Sequence, residues 1–202
     1  MPSKLLLRNF ESGHYYHLRH QAKKDTVLFN TDTDYKTFLL LLSYYLRFPS
    51  ATPLSWVSRL TPATVVAKQK ESAMGTAPVV LHAFMLAPDH FHLLLRENAG
   101  AYKPGVSNLM RRVSVGYAMY YNKTYGASGT IYQGKYKNIE IPQDSLANVV
   151  DWLHTHPSVN SAFLSTPLHS SRPDYVDSPR SWLTPLPTDG SGSAPPKLLL
   201  EK

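Results

Sequence analysis

Two histidines separated by one phenylalanine, His90-Phe91-His92, are the residues of this chain best suited to chemistry. They follow the turn pair Pro88-Asp89 and run into Leu93-Leu94-Leu95, which reads as a strand entered from a tight turn. Side chains alternate faces along a strand, so His90 and His92 point one way and Phe91 the other. Two imidazoles about 7 Å apart on one strand face can converge on a divalent metal. The simpler alternative is a strand with two half-exposed histidines. A third imidazole is offered by Trp152-Leu153-His154-Thr155-His156-Pro157. Trp152 and His156 are four residues apart on a predicted helix and share a face, so His156 would complete a three-imidazole site. Its alternative role is a polar residue at a helix C-terminus, favoured there by the dipole when protonated. His154 is expected to face solvent. The chain has no cysteine, so any metal must rest on His, carboxylate or amide ligands. Three imidazoles suit Mn, Co, Ni or Zn better than Mg, which prefers oxygen.

A second constellation is basic and aromatic. Arg111 and Arg112 sit together, and Tyr132-Gln133-Gly134-Lys135-Tyr136-Lys137 follows further on. Lys and Arg neutralise phosphates, and aromatic rings stack on unpaired bases. Read as a strand, this run places Tyr132, Gly134 and Tyr136 on one face and Gln133, Lys135 and Lys137 on the other. The alternative is an ordinary strand with one core face and one solvated face. The whole chain is basic, with 21 Lys+Arg against 14 Asp+Glu and a net charge of +7, which points to a polyanionic partner. The expected nucleic-acid-binding residues are therefore Arg111, Arg112, Tyr132, Lys135, Tyr136 and Lys137, acting on a single strand.

These residues need elements to position them. His14–His20 alternates and carries aromatics, as a first strand does. Thr31-Asp32-Thr33-Asp34 offers N-cap residues for a helix of about three or four turns that ends before Pro49. Val79–Leu86 and His90–Arg96 predict two strands joined by Ala87-Pro88-Asp89 into an antiparallel hairpin. Ser107 is expected to cap a helix from Asn108 to about Lys123. Thr130–Ile141 predicts a fourth strand, and Asp144-Ser145 caps a last helix stopped by Pro157. The order β-α-β-β-α-β-α makes an α+β, ferredoxin-like sandwich: a four-stranded antiparallel sheet with helices packed on one face. Residues 49–76, rich in Pro, Ser, Thr and Ala, read as a long inserted connection. The end, from Gly190 through Pro196, has linker composition. At 202 residues the chain suits one domain plus appendages. No apolar run is long enough for a membrane span or a signal-peptide core, which predicts a soluble, cytoplasmic protein.

Two blocks resemble a known family. Pro88-Asp89-His90-Phe91-His92-Leu93-Leu94 is similar to the P-N-H-F-H-L-L block of the HUH single-tyrosine transposases, especially their REP-associated group. Gly129-Thr130-Ile131-Tyr132-Gln133-Gly134-Lys135-Tyr136-Lys137 resembles that group's G-T-L-W-Q-G-R-Y-K block. The surroundings of Tyr15-Tyr16-His17 and Asp34-Tyr35 are also similar, and the resemblance extends over roughly residues 5 to 182. It implies a ferredoxin-like domain over residues 1–165 with 49–76 inserted, followed by a C-terminal extension over 166–202. It implies binding of hairpin-containing single-stranded DNA, by a monomer or a homodimer. It further implies a divalent metal, Mg or Mn, on His90 and His92, and strand cleavage and transfer through a 5′-phosphotyrosine.

The chain departs from that family at its last helix. The family reads Y-I-x-x-N-P there, with the nucleophile first and an amide metal ligand four residues later. Here Trp152 occupies the nucleophile position, and an indole cannot attack a phosphate; His156 occupies the ligand position. Three outcomes follow. The chain could recognise hairpins without cutting, as a domesticated binding protein. It could be a metal-dependent hydrolytic nuclease. Or it could recruit a tyrosine from elsewhere, such as Tyr132, Tyr136 or Tyr175, for strand transfer. An RNA-binding module is the competing reading from another class, because this sheet topology also serves RNA recognition.

Overall fold

A computed structural model describes residues 10–48, 77–99, 105–157 and 159–188. The inserted 49–76 segment and the Gly190–Pro196 linker lie outside them. Strand β1 (Tyr15–Gln21) leads to helix α1 (Asp32–Arg47), then to β2 (Val79–Ala87), β3 (His90–Glu97), helix α2 (Gly105–Tyr125) and β4 (Lys137–Ile141). A 3-10 turn (Gln143–Ser145) then enters helix α3 (Leu146–His154). The strands form one four-stranded sheet in the order β2-β3-β1-β4, every neighbouring pair antiparallel. This is the expected α+β sheet. The carriers of the histidines, β3 and β1, are its two central strands.

Alternation divides the sheet into two buried faces. Leu18, Phe91, Leu93 and Leu95 join Phe38 and Leu42 of α1 and Val106, Met110, Val113 and Tyr117 of α2 in one core. Ala83, Met85 and Leu94 meet Val149, Val150, Trp152 and Leu153 of α3 in another. The two crossover helices thus share one face as expected, while α3 covers the opposite one. His90 and His92 belong to the α3 face.

Local chemistry accounts for the helix starts. Asp34 accepts from the Thr31 and Asn30 amides at 2.8 and 2.9 Å and from the Tyr120 and Tyr125 hydroxyls at 2.8 and 2.7 Å. It therefore caps α1 and ties α1 to α2. Helix α2 begins at Gly105, so Ser107 lies inside the first turn rather than capping it. The buried Glu97 carboxylate takes that role from the end of β3, accepting from Gly105 and Val106 amides at 3.0 and 2.9 Å. A Cβ at position 105 would lie 2.6 Å from the Pro78 carbonyl oxygen, which is why glycine stands there.

The fourth strand is shorter than expected. Only Lys137–Ile141 pairs along β1. Tyr132 makes an isolated bridge to Ala22, and Gly134 adopts φ +68°, a left-handed turn that breaks the pairing. The C-terminal extension packs closely onto the domain at least as far as Thr184. Leu86 donates to the His169 carbonyl at 2.7 Å, Ser171 to Phe84 at 3.0 Å and Thr184 to Leu81 at 3.0 Å, so residues 169–184 dress the outer edge of β2.

Candidate metal centre

The β2–β3 turn presents the first two histidines rigidly. Its carbonyls are held by the loop after β1: Ala22 donates to Asp89 at 2.7 Å, and Leu28 and Phe29 donate to Pro88 at 2.7 and 3.1 Å. His90 and His92 then face the α3 side, their ring centroids 5.1 Å apart. His156 lies just past the end of α3, whose C-cap is Thr155. It still reaches the site, with its ring 5.5 Å from His90 and 4.9 Å from His92. One ligand atom from each of the three lies within 4.8 Å of the others. The three histidines expected to bind metal are brought together, and all are buried.

The donor set fits a divalent cation. Nδ1 of His90 lies 2.7 Å from the Asp89 carboxylate, and Nδ1 of His92 lies 2.7 Å from Nε2 of His17. The Nε2 atoms of both residues are buried and lack a hydrogen-bond partner among the described residues. A buried nitrogen with no partner is costly unless something binds it. A metal on His92 Nε2 requires the proton on Nδ1, so His92 donates to His17. Burial pushes the pKa of all three histidines down, that of His156 to about 4. The imidazoles are thus neutral near pH 7, with lone pairs free to coordinate.

His17 is a member of this site that local sequence patterns miss. It stands on β1, on the same sheet face as His92, and its ring stacks 4.9 Å from that of His92. The signal that could find it is the β1–β3 register, in which Arg19 lies opposite His92. His17→Ala should weaken Mn²⁺ binding by about 10–100-fold, as expected for loss of a group orienting a ligand, and His17→Gln should recover part of it. Calorimetric Mn²⁺ titration of the three proteins checks this; equal affinities would sink the orienting role.

Trp152 seals the cluster. Its ring lies 4.6 Å from His156, 5.2 Å from His92 and 5.6 Å from His17, each in edge-to-face geometry. Its Nε1 is buried and has no partner among the described residues. The alternative tyrosines sit elsewhere. Tyr132 stacks on His20 at 3.9 Å and Tyr136 meets the same ring edge-on at 6.1 Å, on the α1–α2 side of the sheet. Tyr175 donates its hydroxyl to the His82 carbonyl at 3.0 Å.

The basic and aromatic residues do not form one surface. Tyr132 is 5 % exposed and belongs to the core, bridged to Ala22 with its ring on His20; it is not available to stack on a base. Tyr136 is half-buried, and Lys135 and Lys137 are exposed. Arg111, exposed, and Arg112, half-buried with its guanidinium 5.4 Å from the Tyr45 ring, ride on α2, across the sheet from the histidines. His154 is buried rather than solvent-facing. Its Nε2 lies 2.8 Å from the Ser171 hydroxyl, which also accepts from the Phe84 amide at 2.9 Å, so it ties α3 to the C-terminal extension.

Burial of several neutral histidines has a pH signature. Desolvation lowers His17 to about 3 and His20 and His154 to about 4, against an unfolded value near 6.5. Below pH 6.5 the unfolded chain binds protons that the folded chain refuses. Stability of the metal-free protein is therefore full above pH 6.5 and lost progressively toward pH 4, by up to about 1.4 kcal/mol per pH unit for each histidine. Urea unfolding at pH 7, 5.5 and 4.5 should give steadily lower midpoints; a flat profile would mean these rings charge without cost.

No protein-family model and no curated protein matches the chain. Among solved structures, a REP-associated tyrosine transposase bound to a REP hairpin shares its fold, with TM-score 0.55 and 15% identity over 95% of this chain and 94% of that one. The chain thus has the α+β architecture of that transposase, with a histidine triad able to hold a metal within it. Among the described residues no helix is long and apolar enough to cross a membrane.

Proposed function

We propose that this protein binds hairpin-containing single-stranded DNA and holds a divalent metal on His90, His92 and His156 beside the bound strand. The observation that carries this reading is the convergence of three buried imidazoles, two of them with unpartnered Nε2 atoms, in the fold of a transposase whose structure holds a REP hairpin. When bound, the metal supplies positive charge that polarises phosphate oxygens. Asp89 and His17 keep the two strand histidines in the tautomer that leaves Nε2 free. Trp152 excludes water from one side of the cluster and offers no hydroxyl. The reading is therefore recognition of a DNA hairpin without the family's covalent tyrosine step. Exposed Lys137 at the start of the edge strand and Lys135 in the turn before it supply sequence-independent phosphate contacts.

A labelled single-stranded hairpin oligonucleotide incubated with the protein and Mn²⁺ or Mg²⁺ tests this on parallel native and denaturing gels. A shifted band with intact DNA is the expected result. A slow adduct surviving SDS would reveal a working tyrosine outside the usual position, and shortened product without an adduct would indicate hydrolysis. Equal or tighter binding of the RNA version of the hairpin would favour the RNA-binding alternative.

A further inference from the structure

The metal centre has a cation beside it that the metal reading does not use. Arg19 on β1 stands directly opposite His92 on one side and opposite Lys137 of β4 on the other. Residues paired in this way share a face and lie about 5 Å apart across the strands. His92, Arg19 and Lys137 thus form a row on the α3 face, crossing from the metal centre to the sheet edge.

Among the described residues Arg19 also has no anionic partner. Its Nη2 donates to the neutral Gln21 side chain at 3.1 Å, and its Nε is buried without a partner among the described residues. Three other half-buried arginines have partners of their own: Arg180 forms an ion pair with Asp174, Arg96 lies over the Tyr15 ring and donates to the Gly13 carbonyl, and Arg112 lies over the Tyr45 ring and donates to Asn108. A half-buried guanidinium next to a cation site is unfavourable when the site is loaded, unless an anion bridges the two. A planar fork with a free Nε matches the geometry of a phosphodiester group.

We propose that Arg19 binds a DNA phosphate immediately beside the metal, and that Lys137 receives the next stretch of backbone as it leaves the site toward the β4 edge. This rests on the metal and DNA reading above and adds the strand path and the residue that sets it. Arg19 is a substrate-contacting residue here, and its charge couples metal and DNA binding. Alone, it opposes a second cation; with a phosphate between them, the repulsion becomes shared attraction.

The test measures Mn²⁺ binding to the full chain without DNA, and hairpin-oligonucleotide affinity in Mn²⁺ across a salt series. Arg19→Gln should bind Mn²⁺ alone as well as wild type or a few-fold tighter, and that retained binding reports an intact site. Its oligonucleotide affinity in Mn²⁺ should fall by about 10–100-fold, the range for losing hydrogen bonds to a charged group. The slope of log affinity against log salt should shrink by about 0.7, as for one lost phosphate contact on a single strand. Arg19→Lys should restore the slope and part of the affinity, and Lys137→Gln should show a smaller loss of the same kind. Unchanged affinity and slope in Arg19→Gln, with wild type binding both ligands, would overturn the inference and leave the metal reading standing. Wild type that binds no Mn²⁺, or no oligonucleotide, would remove that reading and this inference with it.

Discussion

His92→Ala should lower Mn²⁺ affinity at least about a hundredfold, beyond the about 10–100-fold expected when only a supporting partner is lost. His92 is the hub of the cluster. It contacts His90 and His156 and carries the hydrogen bond to His17. Removing it takes away a ligand atom and leaves His17 Nε2 buried opposite a void, a further cost of about 1–3 kcal/mol in stability. His90→Ala should weaken Mn²⁺ binding in the same direction, with less structural cost, because its supporting Asp89 is half exposed and can turn to water. DNA affinity measured in EDTA should change by less than about threefold in either variant, since phosphate contacts come from Arg and Lys. Calorimetry with Mn²⁺ and anisotropy with the hairpin separate the two readouts. Parallel loss of both in EDTA would mean that the histidines hold DNA directly, and that metal and DNA binding are not separable functions.

The reach of the sequence was set by how local each signal is. His90 and His92 were legible because a period of two places them on one face whatever the tertiary fold, and the Pro88-Asp89 turn fixes where the strand starts. His156 was legible through its spacing from Trp152, even though the helix ends at His154 and the ring reaches the site from just beyond it. His17 was not legible, because its role depends on which strand lies beside β3, a pairing between residues 75 positions apart. Tyr132 misled for the opposite reason. Its alternation with Gly134 and Tyr136 does put both tyrosines on one face, since both rings meet His20, but that face is the α1–α2 core, which only the folded chain reveals. The start of α2 was misread because the capping carboxylate, Glu97, belongs to the preceding strand rather than to the helix itself. Arg19 carried no local mark at all: its meaning comes from the row it forms with His92 and Lys137.

Phe91→Ala should be the most destabilising single change near the site, costing about 3–5 kcal/mol, the usual range for emptying a buried phenylalanine position. The residue between the two histidines is fully buried on the opposite face from them. Its ring packs 4.7 Å from Phe38 of α1, 5.7 Å from His20 and 6.4 Å from Tyr132. Because β3 is bonded to β2 on one side and β1 on the other, the backbone cannot close the cavity, which puts the cost toward the upper end of that range. The same ring fixes the candidate metal ligands: with Phe91 locked into the α1–α2 core, alternation leaves His90 and His92 no choice but the α3 face. Phe91→Leu keeps most of the apolar volume and should lose less stability, with Mn²⁺ affinity within a few-fold of wild type. Urea unfolding of the metal-free proteins measures the first effect and Mn²⁺ titration the second. A cost below about 1 kcal/mol for Phe91→Ala would show that the ring is not the anchor, and the orientation of both histidines would then need another cause.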